Sequence, residues 1–182
     1  MANYKMSTHR LALTGLMTAV TCILGPIAIA VPFSPVPFSL GLLAIMLSTI
    51  LLEARLSVLS CLLYLLIGSI GLPVFSGFTG GIGILLGPTG GYLLGYLFLP
   101  ISNHIIGSTK PTFRLLGNLC GLILCYICGT IWLMFQMNLS FYQCLLIGVV
   151  PYIPWDILKL SAAWSLGNLL SKRLKKTGIL PG

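Results

Sequence analysis

Long runs of apolar residues, separated by short polar or glycine- and proline-rich breaks, make up most of this sequence of 182 residues. An apolar segment of about 20 residues spans the core of a bilayer as a helix, whereas the strands of a membrane β-barrel alternate apolar and polar residues. The runs here are continuous and predict an all-α membrane protein. The pattern predicts six transmembrane helices in one bundle, a single domain over residues 1–182. Their expected bounds are about 10–31, 39–52, 56–70, 89–107, 112–135 and 144–170.

Composition strengthens the membrane interpretation. Hydrophobic residues make up 57% of the chain and charged residues 7%, whereas a soluble domain carries about 25% charged residues. So few charges cannot cover a water-facing surface, so lipid must solvate the protein. The first apolar run is long and lacks a small-residue cleavage site, so we interpret it as a membrane helix and not as a cleavable signal peptide.

The positions of the basic residues predict the orientation of the helices. The formal net charge is +8, and nine of the ten Lys and Arg residues lie at helix ends that share one side of a six-span topology. These nine are Lys5, Arg10, Arg55, Lys110, Arg114, Lys172, Arg173, Lys175 and Lys176. Basic residues concentrate on the cytoplasmic side of membrane proteins. We therefore expect a multi-pass protein of the cell membrane with both termini in the cytoplasm, and no nucleic-acid partner.

The tenth basic residue, Lys159, lies inside the last apolar run, three residues after Asp156. A charge at the centre of a membrane helix costs about 2.5–3.5 kcal/mol on insertion scales. Tyr152, Asp156 and Lys159 have helical spacing and share one face. Asp156 and Lys159 either form an ion pair whose only role is to neutralise the two charges, or they form a polar wall of a small-molecule pocket. Because apolar residues would pack there at lower cost, the pocket is the favoured interpretation.

Two connecting segments are candidates for the rest of such a pocket. The connection between the first two helices, Val31–Phe38, contains three prolines, which make it stiff enough for a lid. The segment Gly68–Gly95 contains ten glycines interleaved with apolar residues, which indicates a packed loop. Within it, the backbone N–H groups of Gly87–Gly91 open the fourth helix and could bind an oxygen atom. Both segments belong to the outer side in the predicted topology.

Several kinds of chemistry find no support in the sequence. There is no P-loop, so the chain has no ATP-hydrolysing site of its own. Gly81 and Gly83 resemble part of a dinucleotide fingerprint, but no strand precedes them and no acidic residue follows. The six cysteines fall mostly in apolar helices and are interpreted as packing residues. No nucleophile–base pair or metal-ligand set is present, so we expect neither an enzyme nor a cofactor.

Three stretches resemble the BioY family, the biotin-specific S component of energy-coupling factor (ECF) transporters. They are VPFSPVPF at Val31–Phe38, GLPVFSGFTGGIGILLGPTGGY at Gly71–Tyr92, and WDILK at Trp155–Lys159. The resemblance covers nearly the whole chain and agrees with the six-helix count. It implies a subunit that captures biotin from outside. The implied partners are biotin, the lipid bilayer, a transmembrane coupling protein and two ATPase subunits that use the ATP.

The resemblance also implies binding residues. Asp156 and Lys159 match the family's substrate-binding positions, and Tyr92 joins them. Biotin's ureido ring carries two N–H donors and one carbonyl, so we expect Asp156 to accept from the N–H groups and Lys159 to donate to the carbonyl or to hold Asp156. The sequence leaves open which end of biotin meets Lys159. The predicted substrate-binding residues are Asp156, Lys159, Tyr92, Tyr152, Phe33, Val36, Phe75, Phe78, Thr79 and Thr89.

A small-xxx-small pattern in the first helix predicts a docking face. The family carries A-x-x-x-A there, and this chain has Gly15 and Ala19 in the aligned positions. Small residues allow two membrane helices to approach closely, so this face predicts contact with the coupling protein, with packing inside the bundle as the alternative. A stand-alone carrier for biotin or another small vitamin is the alternative function, although no inverted repeat is evident.

Overall fold

The computed structural model describes residues 8–106 and 111–177. Within these residues the chain is mostly helical, with one pair of short strands. The elements, in chain order, are α1 (Thr8–Leu24), β1 (Ala28–Ile29), β2 (Phe38–Ser39), α2 (Gly41–Leu51), α3 (Ala54–Ser69), α4 (Ile82–Leu86), α5 (Gly90–Gly95), α6 (Phe98–Ile106), α7 (Pro111–Met137), α8 (Phe141–Gly148) and α9 (Ile153–Lys176).

The first helix is shorter than predicted. It ends at Leu24 and not near Val31, because Gly25 and Pro26 follow and proline disfavours a helical conformation in the residue before it. The chain then forms β1, which pairs with β2 in antiparallel register, Ala28 opposite Ser39. The segment between the strands, residues 30–37, is therefore a hairpin loop held at both ends, and we call it the lid.

The fourth and sixth predicted helices are each broken in two. The fourth becomes α5 and α6, and its predicted end at Gly107 lies outside the described residues. The sixth becomes α8 and α9, whose axes differ by 50°. Pro154 lies in the first turn of α9, where its missing N–H is tolerated, and so the chain can restart a helix there. The break is important because it makes Tyr152 the residue that caps α9.

The glycine-rich segment is packed, as predicted. Phe75 is fully buried, pairs with Thr79 in an isolated bridge and packs edge-on against Tyr64 with ring centroids 5.6 Å apart. Its ring occupies the space that a side chain at Gly68 would fill. Gly81 adopts φ 98° where it caps α4, a backbone conformation that favours glycine.

The long helix α7 is the centre of the bundle. It packs against α5 and α6, while α2 packs against α9 and α1 against α3. Glycines allow the close contacts: Gly91 lies against Trp132, and Gly129 lies against the ring of Tyr92. A buried hydrogen-bond network joins three helices where Thr49 Oγ1 and Asn103 Nδ2 both donate to Asn118 Oδ1, at 2.8 and 3.2 Å.

Helix length alone identifies few complete spans. In the described part of the chain, one helix segment, Thr112–Met137, is long and apolar enough to cross a membrane. The bent pair α8 and α9 meets the same criterion together, and α1, α2 and α3 are shorter apolar helices. The fifth predicted helix, 112–135, agrees with α7 to within two residues at each end.

Charged residues tie the helix ends together on one side of the bundle. Arg10 forms an ion pair with Glu53 at 2.9 Å, which joins α1 to the turn between α2 and α3. The guanidinium of Arg114 donates to the carbonyl of Ile50 at the end of α2, where unpaired helix carbonyls attract positive charge. Lys5 and Lys110, two of the nine basic residues that predict the orientation of the helices, lie outside the described residues.

Candidate ligand-binding cavity

A cavity of about 40 Å³ lies between the lid, α2, α5, α7, α8 and α9. A cavity needs about 10–15 Å³ on this measure to hold one water molecule, so a larger ligand enters only when the walls move. The walls are mostly apolar and aromatic, with a few polar groups among them. The lining residues are Val36, Pro37, Ser39, Leu42, Tyr92, Tyr96, Leu122, Cys125, Tyr126, Gly148, Tyr152, Asp156 and Lys159.

Asp156 is the buried charge of this cavity, with 3% of its surface exposed. Lys159 Nζ lies 2.9 Å from Asp156 Oδ1, and the hydroxyl of Tyr126 on α7 donates to Asp156 Oδ2 at 2.6 Å. The ion pair has side-chain exposures of 12% for Lys159 and 5% for Asp156. Burying the pair is tolerable because both carboxylate oxygens have hydrogen-bond partners.

The lid is fastened to α9 by Tyr152. Its hydroxyl donates to the carbonyl of Val36 and also forms a hydrogen bond with the hydroxyl of Ser34 at 2.9 Å. Phe38, the residue directly after the lid, packs on the ring of Tyr152 and on that of Trp155, with centroids 4.6 and 5.6 Å apart. Tyr152 therefore connects the lid to the helix that carries Asp156, four residues later.

Tyr92 presents a buried phenol to the same space. Its hydroxyl has no hydrogen-bond partner in the described part of the chain. Gly148 and Gly129 lie so close to the phenol that a side chain at either position would overlap it. A buried hydroxyl without a partner carries a cost of about 1–3 kcal/mol, which a polar ligand atom can remove.

Five of the predicted binding residues line the cavity, and five do not. Asp156, Lys159, Tyr92, Tyr152 and Val36 lie in its wall. The other five are Phe33, Phe75, Phe78, Thr79 and Thr89, none of which lines it.

The five residues outside the cavity wall lie there for different physical reasons. Phe75 turns inward against Tyr64, away from the cavity. Phe33 and Phe78 point outward and are 65% and 70% exposed. Thr79 is exposed, with its hydroxyl on a nearby backbone carbonyl, and Thr89 caps α5.

The predicted oxygen-binding role of Gly87–Gly91 also finds no support in the geometry. The N–H groups of Gly87 and Gly90 donate to the carbonyls of Ile84 and Gly87, at 3.2 and 3.0 Å. The carbonyl of Gly87 also accepts a hydrogen bond from Trp132 at 2.9 Å, which joins this turn to α7. The helix it opens, α5, has only six residues. This turn is accordingly a structural joint between α4 and α5.

Sequence reasoning missed Tyr126, Cys125, Tyr96 and Ser39 as cavity residues. The one available signal for Tyr126 was a tyrosine in the middle of an apolar run. Cys125, interpreted as a packing residue, does pack: its thiol contacts the carbonyl of Tyr92 at 3.5 Å. Ser39 donates to the carbonyl of Gly25 at 2.9 Å and so anchors the base of the lid.

The two predicted docking residues lie on the outer face of α1. Gly15 and Ala19 are both exposed, and a Cβ at Gly15 would meet no atom within 4 Å among residues 8–106 and 111–177. The opposite face, with Met17 and Thr18, packs inside the bundle, where the Thr18 and Ser60 hydroxyls lie 3.0 Å apart. Packing within the bundle is therefore not the role of the small-residue face.

The hydrogen-bond positions that Asp156 and Lys159 leave unused define what the cavity can bind. A carboxylate accepts about four hydrogen bonds and an ammonium donates three. Asp156 uses one position on each oxygen, and Lys159 uses one N–H. The cavity thus offers two neighbouring acceptors beside two donors, within an apolar wall.

A family model described as the BioY family matches residues 1–176. The chain belongs to the BioY family. A Lactococcus lactis protein named Biotin transporter BioY2 is 37% identical over 182 residues, which cover 97% of each chain. A Pyrococcus horikoshii protein named Probable biotin transporter BioY is 35% identical over 158 residues, covering 87% of this chain and 93% of the relative.

The fold agrees with that of a solved structure. A crystal structure at 2.1 Å of the S-component for biotin from an ECF-type ABC transporter superposes with a TM-score of 0.80 at 32% identity, covering 92% of this chain and 95% of the other. The BioY resemblance seen in three sequence stretches is thereby confirmed. BioY proteins are membrane transporters and not enzymes, so those two expectations are confirmed as well.

Proposed function

We propose that this chain is the biotin-binding S component of an ECF-type uptake transporter, and that the cavity around Asp156 and Lys159 holds the ureido ring of biotin. The observation that supports this most strongly is the set of free hydrogen-bond positions at that ion pair. A free acceptor position on Asp156 matches one N–H group of the ureido ring, and the remaining N–H groups of Lys159 match the adjacent carbonyl.

The apolar wall suits the remainder of the ligand. Leu42, Leu122 and Val36 surround the polar pair and provide contacts for a thiophane ring and an aliphatic chain. Tyr92 supplies a hydroxyl without a protein partner, which suits a carbonyl or carboxylate oxygen. The 40 Å³ cavity is too small for biotin as it stands. Binding accordingly requires the lid to lift from α9 and to close again over the ligand.

We also propose six spans with both termini in the cytoplasm, in one domain over residues 1–182. The spans are α1, α2, α3, α5 with α6, α7, and α8 with α9. Support comes from the ion pair of Arg10 with Glu53 and the contact of Arg114 with the end of α2, in which basic residues at the starts of α1 and α7 lie beside the α2–α3 turn. This is the distribution expected of a cytoplasmic surface.

Coupling to ATP hydrolysis requires partner subunits. We propose that the exposed face of α1 with Gly15 and Ala19 contacts a transmembrane coupling protein, which carries two ATPase subunits. In the described part of the chain no atom lies within 4 Å of a Cβ built at Gly15, which supports this proposal, because an open position with a small residue admits another helix at close range.

Reconstitution in liposomes tests the proposal that this chain binds biotin and that partner subunits drive its uptake. Liposomes that contain this chain alone should bind radiolabelled biotin without accumulating it, and addition of the coupling protein, both ATPases and ATP inside should start uptake. Uptake by the chain alone, at a rate that ATP and partners do not change, would contradict the S-component assignment and support a stand-alone carrier.

A further inference from the structure

The wall of the cavity carries one positive and one negative group, and the two neutralise each other. Among the described residues that line it, only Lys159 and Asp156 are charged. Lys159 Nζ lies 2.9 Å from Asp156 Oδ1, and the two side chains are 12% and 5% exposed. The enclosed space therefore has no net charge. An anionic group that entered beside this pair would leave a negative charge without a partner, and a buried charge of that kind is strongly unfavourable.

No second cation is close enough to balance such a group. Within residues 8–106 and 111–177, Lys159 is the one basic residue of the cavity wall. Arg114 donates to the carbonyl of Ile50, which lies eight residues along α2 from Leu42 in the wall, or about 12 Å at the rise of a helix. Lys172 lies 13 residues beyond Lys159 on α9, or about 20 Å away.

The segments that cover the cavity bring no cation either. The lid, residues 30–37, contains no Lys or Arg, and neither does the glycine-rich segment 68–95 or the segment 138–152 that contains α8. This holds whether the lid is closed or lifted, because it follows from the sequence alone. Closure of the lid over a ligand consequently adds apolar surface and no positive charge.

The backbone of the lid offers few donors to an anion. Three of its eight residues are prolines, which have no N–H group. The N–H of Ser34 donates to the carbonyl of Val31, and the N–H of Val36 donates to the hydroxyl of Ser34, both at 3.1 Å. A carboxylate under the lid would thus lose its hydration without gaining an equivalent set of hydrogen bonds.

The hydroxyl of Tyr92 is a neutral donor in the same wall. It is buried and has no hydrogen-bond partner in the described part of the chain. A phenol donates to a carboxylate oxygen and equally to the carbonyl oxygen of an amide. The carboxylate gives up far more hydration than the amide on entering an apolar wall. The negative charge of a ligand therefore brings no net gain at this hydroxyl.

We infer, on the basis of the proposed function, that the site recognises the ureido ring of its ligand and does not require a negative charge at the carboxyl end. The ligand class then extends from the free acid to neutral carboxamides of biotin, in which an amine is joined to the carboxyl carbon. Asp156 and Lys159 supply the selectivity, and the carboxyl end contributes through its apolar chain and one carbonyl oxygen.

The test compares biotin with its primary amide. Dissociation constants of both are measured on the purified full-length protein at neutral pH, where the free acid is ionised. A contact between a carboxylate and a cation would favour biotin roughly 10- to 100-fold. We expect the amide to bind within about 10-fold of biotin. A larger loss would overturn the inference while the proposed function stands, whereas absence of biotin binding would overturn the proposed function first.

Lys159→Met tests whether the one cation of the wall reads the carboxylate. Because we place Lys159 at the ureido carbonyl, the substitution should weaken biotin and the amide by the same factor and leave the ratio of their dissociation constants unchanged. A selective loss of biotin binding, with a shift of that ratio by more than about 10-fold, would overturn the inference. The wild-type ratio is independent of how any variant folds.

The matched control is Lys175→Met. It makes the same substitution on the same helix, at an exposed position in the last turn of α9. As expected of a surface substitution, it should change both dissociation constants by no more than about twofold.

Discussion

At the scale of single residues, we expect biotin binding to depend most on the side chain of Asp156. Replacing it with Asn turns one acceptor oxygen into an N–H donor that faces the ligand's own N–H groups. Loss of a charged hydrogen bond contributes about 1.5–3 kcal/mol, so we predict that Asp156→Asn weakens biotin binding at least 10-fold. Equilibrium binding of radiolabelled biotin to purified variants measures this.

The control for that substitution is the other acidic residue of the chain. Glu53 lies at the turn before α3 and pairs with Arg10, away from the cavity. Glu53→Gln should change affinity by no more than about twofold, as expected of a surface substitution. Wild-type affinity in Asp156→Asn would remove this carboxylate from the binding site.

Helical periodicity was enough to place Tyr152, Asp156 and Lys159 on one face, because positions on a helix depend only on local geometry. Tyr126 could not be found in this way. Its hydrogen bond to Asp156 depends on how α7 packs against α9, and no local rule fixes that packing. The position of Phe75 outside the cavity wall could not be predicted for a related reason: its ring fills a space inside the bundle that the glycine at position 68 leaves open.

At the scale of elements, the lid and the α8–α9 break act together. The break makes Tyr152 the cap of α9, and from there its hydroxyl holds the lid at Ser34 and Val36. Sequence patterns predicted a stiff lid from its prolines. They did not predict the strand pair at its base, since β1 was read as the end of the first helix.

A lid held by Tyr152 should slow the release of ligand. Tyr152→Phe removes the hydroxyl and keeps the ring that packs on Phe38. Neutral hydrogen bonds contribute about 0.5–1.5 kcal/mol each, so we predict that biotin dissociates roughly 2- to 10-fold faster from the variant. A chase of bound radiolabelled biotin with excess unlabelled biotin measures the rate.

Ser34→Ala is the graded comparison for the lid. It removes one of the two hydrogen-bond partners of the Tyr152 hydroxyl and leaves the carbonyl of Val36 in place. Its dissociation rate should fall between those of the wild type and Tyr152→Phe. Equal rates in all three proteins would show that the lid contact does not control release.

At the scale of the whole molecule, the surfaces that we propose for binding and for coupling are separate. The cavity lies between the lid and α9, whereas Gly15 and Ala19 lie on the outer face of α1. The small-residue spacing in α1 was evident from the sequence. The sequence did not show whether that face pointed inward or outward, because this depends on which side of α1 packs against α3.

We predict that Gly15→Leu leaves biotin binding unchanged and reduces ATP-driven uptake. Among the described residues, a leucine there meets no atom within 4 Å of its Cβ, so the fold tolerates it, but it would separate α1 from a closely packed partner helix. Uptake by liposomes that contain the complete transporter measures the effect. Ser161→Leu, which adds similar bulk to the exposed side of α9, is the matched control and should transport normally.

The central claim is that this chain by itself forms a biotin site around Asp156 and Lys159. A calorimetric titration of the purified full-length protein with biotin, without partner subunits and without ATP, tests it most directly. We predict saturable binding to a single site on each chain, the cavity lined by Asp156 and Lys159 once the lid has moved. A titration with no binding heat, confirmed by equilibrium binding of radiolabelled biotin, would contradict it.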